Sequence, residues 1–115
     1  MTAKSAMNAL SKNMAWALAK DGILVNTVTP GVIWTEGLAQ FISDVGGAAT
    51  GDPNDLVDCW RFTREFGGGR YNGVIGRIAR ADELSPLLLM LGSRANSYIV
   101  GANIPVDGGT DFSAP

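Results

Sequence analysis

Residues 23–35 constrain the fold of this chain more than any other segment. They read Ile-Leu-Val-Asn-Thr-Val-Thr-Pro-Gly-Val-Ile-Trp-Thr, a short β-branched apolar run that stops at a Pro-Gly pair. A nearly continuous apolar run is typical of a parallel strand covered on both faces. Proline ends such a strand because it cannot donate to the hydrogen-bond ladder. The sequence therefore predicts a buried strand over residues 23–29, followed directly by a turn.

Two helical segments and a second strand accompany this element. Residues 2–20 carry apolar side chains at helical spacing on more than one face, which predicts a helix between two layers or at an interface. Residues 81–92 predict a second helix, and residues 98–107 predict a final strand. At 115 residues the chain is at most one small domain. The order of these elements indicates the α/β class, present as a single partial domain over residues 1–115.

Residues 36–76 differ from the rest of the chain in composition. They contain nine glycines and Pro53, and we expect a long irregular segment there. A short helix is predicted from about Asp55 to Glu65. A long loop inside a compact domain is usually functional or disordered, so we interpret residues 36–76 as a substrate-loop region that acts as a lid.

Composition excludes several classes of function. The net charge is −2 and no basic patch occurs, which argues against a nucleic-acid partner. No run of 18 apolar residues occurs, so no membrane span is expected. Cys59 is the single cysteine, which leaves no disulfide framework and fits the cytoplasm. The chain has no histidine to activate that thiol, and its carboxylates show no metal-ligand spacing, so we expect neither a cysteine nucleophile nor a metal site.

Several short motifs occur in an order that resembles the short-chain dehydrogenase/reductase family. They are Lys4-Ser5-Ala6, Val25-Asn26, Pro30-Gly31-Val32-Ile33 with Thr35, Gly76-Arg77 before Asp82-Glu83-Leu84, Ser97-Tyr98-Ile99-Val100-Gly101, and Val106-Asp107-Gly108-Gly109. The resemblance implies a partial Rossmann-type, doubly wound fold whose N-terminal half is absent. It also implies NAD or NADP at the strand ends and hydride transfer to or from a small-molecule alcohol or carbonyl substrate.

The same resemblance assigns a role to Lys4. In the family, a tyrosine four residues before a lysine is the general acid/base, and here that tyrosine would lie directly before Met1. The family's serine and glycine-rich cofactor fingerprint are likewise absent. Lys4 matches the lysine, whose ammonium group lowers the pKa of the phenol and holds the nicotinamide ribose. Apart from the resemblance, the position of Lys4 favours a solvated lysine at the start of a helix.

The segment after the first strand is the predicted cofactor contact. By resemblance, the backbone of Pro30, Gly31, Val32 and Ile33 meets the nicotinamide carboxamide, and the Thr35 hydroxyl meets the carboxamide or the pyrophosphate. The alternative is an ordinary turn, which Pro-Gly forms commonly. Asn26 is unusual inside a strand, and we interpret it as a structural tie because a buried amide must find hydrogen bonds.

Trp34 and Trp60 flank or lie within the predicted substrate loop. Either they line an apolar substrate pocket, or they pack that segment onto the rest of the chain.

Two functions of different classes remain open from the sequence. The chain is either part of an NAD(P)-dependent oxidoreductase or a non-catalytic remnant that oligomerises or binds a partner. In both cases the apolar first helix predicts a homo-oligomer. Without the acid/base and the phosphate-binding turn, the 115 residues alone are expected to be inactive.

Overall fold

The computed structural model describes residues 2–46, 51–69 and 73–110. In chain order the elements are α1 (Thr2–Leu18), β1 (Thr27–Pro30), α2 (Glu36–Gly46), α3 (Leu56–Phe66), α4 (Ser85–Leu91) and β2 (Asn103–Val106). Short 3-10 turns follow α1 at Ala19–Asp21 and precede α4 at Ala81–Glu83. The chain forms two compact units. Unit 1 consists of Met1–Thr29 with Ser85–Pro105, and unit 2 consists of Pro30–Leu84 with Val106–Pro115.

The two strands pair side by side in a small sheet. In unit 1 the Thr27 amide donates to the Ala102 carbonyl at 2.8 Å, and in unit 2 the Gly31 amide donates to the Val106 carbonyl at 3.0 Å. The residue numbers rise together along both strands, so the pair is parallel, as the apolar run predicted.

Both strands are shorter than the sequence predicted, and the reason for β1 lies in Asn26. The strand was expected over residues 23–29 but begins at Thr27. Just before it, the Asn26 side chain donates to the Ile99 carbonyl at 2.8 Å and accepts from the Ala102 amide at 3.0 Å. A side chain thus makes the links that a backbone ladder would otherwise make. The interpretation of Asn26 as a structural tie within unit 1 agrees with these bonds.

Helix α1 ends at Leu18, close to the predicted end at residue 20, but most of the apolar side chains that were expected to be buried are exposed. Gly22 adopts a left-handed conformation with φ of 77° and terminates the turn after α1. Ala15 is the buried residue of α1, whereas the predicted apolar stripe is largely exposed. Met7, Leu10 and Met14 expose 47%, 58% and 42% of their area. When a helix has two apolar faces, the periodicity of its sequence does not indicate which face is buried. In unit 1 the buried face is the one that carries Ala15, which lies next to Gly101.

The expectation of an irregular segment over residues 36–76 is wrong for much of its length. Two helices, α2 and α3, occupy it. Helix α3 was predicted, and its start is fixed by Asp55, whose carboxylate accepts from the Val57 and Asp58 amides, both at 2.9 Å. Helix α2 was missed because Gly37 and Gly46 at its ends suggested a loop, although glycine costs a helix only about 1 kcal/mol.

These two helices also carry the hydrophobic core of unit 2. The core consists of Ile42 from α2, Cys59 and Phe62 from α3, and Ile78. Phe41, Phe62 and Phe66 extend it as an aromatic cluster, with ring centroids 5.4–6.1 Å apart. The stretch with the most glycine therefore also contains the largest fully buried side chains, Ile42 and Cys59. Its predicted behaviour as a lid stays a prediction.

Candidate functional site

The chain after β1 is held on two sides within unit 2. Gly31 pairs with Val106, and the next residues pair with Ala79 on the other side. The Ala79 amide donates to the Val32 carbonyl at 3.1 Å, and the Trp34 amide donates to the Ala79 carbonyl at 2.8 Å. In such a parallel bridge the residue between the two bonds directs its own N–H and C=O away from the partner. That residue is Ile33.

Gly31 is required here by packing and not by backbone conformation. A Cβ atom on Gly31 would lie 2.7 Å from the Asp107 Cα and 3.0 Å from the Asp107 carbonyl oxygen. Real Cβ atoms do not approach backbone atoms so closely. The end of β1 and the turn after β2 therefore lie in backbone-to-backbone contact, and this contact sets the position of Pro30–Ile33 within unit 2.

Thr35 has a structural role that the sequence did not reveal. Its hydroxyl oxygen accepts a hydrogen bond from the Leu38 amide at 3.0 Å, three residues later. This is the geometry of a helix N-cap, so Thr35 starts α2. The cap uses only the hydroxyl oxygen of Thr35 as an acceptor, so the hydroxyl hydrogen can still donate a hydrogen bond to another group. The prediction that Thr35 contacts a cofactor is compatible with the cap.

The structure separates the two tryptophans that the sequence left equivalent. Trp34 donates its indole N–H to the Pro53 carbonyl at 3.1 Å, and its ring packs on the unit 2 core. Trp60 also packs on that core, but its indole nitrogen is buried and has no hydrogen-bond partner among the residues that the structure describes. The bonded indole favours the packing alternative for Trp34, and the unbonded indole favours Trp60 as the ligand contact. The substrate-pocket role of both residues stays a prediction.

Unit 2 contains a cavity of about 220 Å³ beside the end of β1. Gly31 and Val32 from the predicted cofactor segment line it, together with Trp60. Apolar side chains of Ile75, Ile78 and Val106 make up much of the remaining surface. The structure thus brings three sequence-predicted site residues to one place, and it adds side chains that the sequence analysis did not connect with them.

An ion pair between Arg77 and Glu83 closes one side of this cavity. The two guanidinium nitrogens contact the two carboxylate oxygens at 2.7 and 2.9 Å, and Arg77 also donates to the Ile78 carbonyl at 3.1 Å. The hydrogen bond from Arg77 is the main cause that lowers the pKa of Glu83 to about 2, and the Arg80 amide contributes. Both residues belong to motifs identified in the sequence. Their ion pair could not be predicted, because side chains six residues apart outside a helix have no fixed spatial relationship.

Cys59 is a buried structural residue. Its exposed fraction is 0%, and its thiol donates to the Pro53 carbonyl at 3.1 Å. Burial raises the pKa of the thiol, and the nearby carboxylates of Asp55, Asp52 and Asp58 raise it further. A protonated, inaccessible thiol is a poor nucleophile, in agreement with the sequence interpretation.

Lys4 lies in unit 1, in the first turn of α1, and its side chain is exposed. The segment Pro30–Thr35 lies in unit 2. The role of Lys4 therefore stays a prediction. Within the described residues, no group of three or more acidic or cysteine side chains is arranged to hold a metal ion. The helices described in residues 2–46, 51–69 and 73–110 are all too short or too polar to cross a bilayer.

Comparison with known proteins places these features in a wider group. The family described as enoyl-(acyl carrier protein) reductase matches residues 1–51. A tropinone reductase homolog of Arabidopsis thaliana is 34% identical over 109 residues, which cover 92% of this chain and 33% of the relative. The uncharacterized oxidoreductase YvrD of Bacillus subtilis is 32% identical over 106 residues, covering 92% of this chain and 38% of the relative. The chain spans about a third of the length of the curated relatives it matches.

Solved structures give the same result for the fold. L-sorbose reductase from Gluconobacter frateurii, complexed with NADPH and L-sorbose, superimposes with a TM-score of 0.75 at 28% identity. The match covers 93% of this chain and 38% of that one. Levodione reductase, at 23% identity, shares the fold with a TM-score of 0.71 over 98% of this chain and 39% of that one. These likenesses confirm the predicted α/β class and a partial Rossmann-type fold.

Proposed function

Because the chain belongs to the short-chain dehydrogenase/reductase family, we propose that it forms part of an NAD(P)-dependent oxidoreductase. The reaction moves hydride between a nicotinamide and a small-molecule alcohol or carbonyl. The observation that supports this best is the segment after β1, where Ile33 directs its peptide groups away from its bridge with Ala79. In open α/β sheets, ligands bind outside the carboxyl ends of the strands.

The residues of this segment fit one half of the cofactor. The Ile33 peptide offers a donor and an acceptor, which a carboxamide needs, and the Thr35 hydroxyl has a hydrogen left to donate. Gly31 holds this backbone in place through its close approach to Asp107. A glycine-rich strand–turn–helix that would hold the pyrophosphate does not occur in residues 2–46, 51–69 or 73–110. When bound, the nicotinamide supplies the hydride chemistry, and this chain binds and orients its carboxamide.

Lys4 supplies the charge in this proposal. A lysine ammonium near a phenol stabilises the phenolate and lowers the pKa of the tyrosine from about 10 toward neutrality. Its exposed position in the first turn of α1 leaves the ammonium available for that partner and for the ribose hydroxyls. Lys4 thus acts on the proton of the general acid/base, whereas Pro30–Thr35 act on cofactor position.

The test joins this chain to the N-terminal part of a relative. Residues 1–115 are fused behind the segment of YvrD that ends four residues before its corresponding lysine, and NADH and NADPH binding and turnover with a panel of ketones are measured. We expect Lys4→Ala to weaken cofactor binding and to lower turnover about 100-fold. Lys12→Ala and Lys20→Ala are the matched controls on the same helical segment. Equal, small effects of all three substitutions would return Lys4 to an ordinary surface lysine.

A second candidate function rests on the exposed apolar side chains of α1. Met7, Leu10 and Met14 on one face expose 42–58% of their area, and Trp16 on the opposite face exposes 85%. Large apolar patches favour association. In this alternative the chain is a non-catalytic, oligomerising module. Dehydrogenase activity of the fusion would exclude it, and an inactive fusion that oligomerises would favour it. In either case the chain forms a homo-oligomer, and its single cysteine suits a reducing compartment such as the cytoplasm.

A further inference from the structure

We propose that the ion pair between Arg77 and Glu83 positions the peptide groups of Ile33 for the cofactor. This inference deepens the proposed function and rests on it, because the nicotinamide carboxamide is the group that Ile33 contacts there. Arg77 and Glu83 are positioning residues, since both act through the backbone on either side of Ala79, and Ala79 forms the bridge with Ile33.

Ala79 bonds to the residues on both sides of Ile33. The Ala79 N–H donates to the Val32 carbonyl at 3.1 Å, and the Ala79 carbonyl accepts from the Trp34 N–H at 2.8 Å. The Val32 carbonyl lies in the same peptide group as the Ile33 N–H, and the Trp34 N–H lies in the same peptide group as the Ile33 carbonyl. Because a peptide group is planar, these two hydrogen bonds set the directions in which Ile33 presents its donor and its acceptor.

The ion pair holds the other ends of the two Ala79 peptide groups. The Ala79 N–H shares its peptide group with the Ile78 carbonyl, and Arg77 donates to that carbonyl at 3.1 Å. The Ala79 carbonyl shares its peptide group with the Arg80 N–H, which donates to a Glu83 carboxylate oxygen at 2.8 Å. Hydrogen bonds at both ends of a peptide group polarise and strengthen each other. Each peptide group that bridges to the cofactor segment therefore has one member of the ion pair bound at its far end.

The contact between Arg77 and Glu83 links these two peptide groups to each other. The two guanidinium nitrogens contact the two carboxylate oxygens at 2.7 and 2.9 Å. A bidentate pair of this kind fixes the orientation of both side chains as well as their separation. Neither Ala79 peptide group can therefore rotate without breaking a hydrogen bond to the pair.

The hydrophobic core of unit 2 is the alternative anchor for this segment. Ile78 exposes 3% of its area, and its amide donates to the Leu56 carbonyl at 3.1 Å. These contacts fix the Ile78 side chain and the peptide group before Ile78, whereas the bridge uses the two peptide groups after it. If the ion pair has the proposed role, its loss should loosen the bridge while the core stays closed.

Amide hydrogen exchange, followed by NMR on the ¹⁵N-labelled chain, tests this difference. The reference is the Cys59 amide, which bonds at the start of α3 in the core. We expect Glu83→Gln to accelerate exchange at the Ala79 and Trp34 amides about tenfold more than at the reference, because only the bridge opens. Equal acceleration at all three amides would show that the pair stabilises unit 2 as a whole. No acceleration would show that the core alone holds Ala79, and either result would overturn the proposal.

Asp82→Asn is the matched control, because it makes the same change of charge in the same turn. Asp82 pairs with Arg80, and the two side chains are 61% and 63% exposed. Its effect on exchange at Ala79 should stay within about twofold, and an effect as large as that of Glu83→Gln would contradict a specific role. If Glu83→Gln fails to fold, Arg77→Lys replaces it. Lysine keeps the charge but cannot form two parallel hydrogen bonds, so the same local acceleration is expected.

Cofactor binding by the fusion with the YvrD segment connects the pair to the carboxamide. ADP-ribose contains the adenosine, the pyrophosphate and the second ribose of NADH but no nicotinamide. We expect Glu83→Gln to weaken NADH binding about fivefold, as for the loss of one hydrogen bond, and to leave ADP-ribose binding unchanged. Asp82→Asn should change neither. Equal weakening of both ligands, or unchanged NADH binding, would overturn the role in cofactor positioning.

The two experiments separate this inference from the proposed function. A fusion that binds NADH but shows no selective effect of Glu83→Gln leaves the function standing and removes the positioning role. A fusion that binds no NADH contradicts the function. The exchange rates at Ala79 and Trp34 then still decide whether the ion pair orients the peptide groups of Ile33.

Discussion

The Cα atom of Asp107 lies 2.7 Å from the position that a Cβ atom on Gly31 would occupy. Two turns that are far apart in sequence, one after each strand, thus meet without side chains between them in unit 2. The side-chain carboxylate of Asp107 accepts a hydrogen bond from the Gly109 amide, and the backbone carbonyl of Asp107 accepts one from the Thr110 hydroxyl at 2.8 Å. These two bonds stabilise the turn after β2. The predicted cofactor segment therefore rests against a fixed surface.

Gly31→Ala is expected to destabilise the chain. The added methyl group must push Asp107 or the end of β1 away, and overpacking of this kind costs about 1–3 kcal/mol. Gly37→Ala is the control, because the nearest atom to its added Cβ is 3.9 Å away and alanine favours a helix. Urea unfolding followed by circular dichroism measures both. Equal midpoints for Gly31→Ala and the unmodified chain would show that the contact is not tight.

Asn26→Ala should destabilise unit 1 by about 1–3 kcal/mol, because it leaves the Ala102 amide without its acceptor. The Ile99 carbonyl loses one donor but keeps the Asn96 side chain, which bonds to it at 3.0 Å. Hydrogen exchange at the Ala102 amide should accelerate.

The control for Asn26 is Asn103→Ala. The Asn103 side chain also accepts a hydrogen bond, from the Thr29 hydroxyl at 2.6 Å, but that pair is exposed. Water replaces an exposed partner, so the loss should be within about 0.5 kcal/mol. If the two alanine variants unfold at the same urea concentration, the Asn26 amide is not a specific tie.

The positions of Gly31 and Asn26 show which parts of the fold could be predicted from the sequence alone. The apolar run that ends at Pro30-Gly31 located β1 and its parallel character, because burial on both faces leaves a pattern in the sequence. It could not reveal the contact between Gly31 and Asp107, since the two residues are far apart in the chain and interact through backbone atoms. Helix α2 was missed because a glycine-rich composition conceals the one buried position, Ile42, that holds it.

The site shows the same division. The cofactor role of Pro30–Thr35 followed from the family resemblance and stays a prediction, whereas the hydrogen bonds of Asn26 agree with its interpretation as a structural tie. The sequence could not distinguish Trp34 from Trp60, because only the structure shows that the Trp34 indole N–H has the Pro53 carbonyl as its partner and that the Trp60 indole N–H has none within the described part of the chain. Whether a buried side chain finds a hydrogen-bond partner depends on residues that are distant in the sequence. The spacing of residue types along the chain therefore does not predict it.

Stability should fall in acid as the pair between Arg77 and Glu83 is lost. The hydrogen bond from Arg77 lowers the folded-state pKa of Glu83 to about 2, from an ordinary value of 4.5. A depressed carboxyl pKa stabilises the folded state above the unfolded-state pKa, and that contribution disappears as the pH falls from about 4.5 to about 2. The urea midpoint of the unmodified chain should exceed that of Glu83→Gln at pH 6, and the two should converge near pH 2.

Glu65→Gln is the matched control for the acid prediction. It removes one negative charge from the end of α3, where the side chain is exposed. Its effect on the urea midpoint should be small at every pH, whereas the effect of Glu83→Gln should depend on pH. A pH-independent difference for Glu83→Gln would mean that packing, and not the charge on the carboxylate, accounts for its contribution.

Cys59 should react slowly with a thiol reagent in the folded chain. Its exposed fraction is 0%, and burial together with three nearby aspartates raises the pKa of the thiol, so thiolate and access are both scarce. We expect the rate of reaction with 5,5′-dithiobis(2-nitrobenzoate) at pH 8 to be roughly 100-fold lower than in 8 M urea, since modification requires local opening. Cys59 lies in the core of unit 2, so the same rate reports on that core.

Phe62→Leu, which loosens the core beside Cys59, should accelerate the reaction, whereas Phe66→Leu at an exposed ring should change the rate little. A folded-state rate close to that of the unfolded chain would show that α3 opens freely, and it would favour the interpretation of residues 36–76 as a mobile lid.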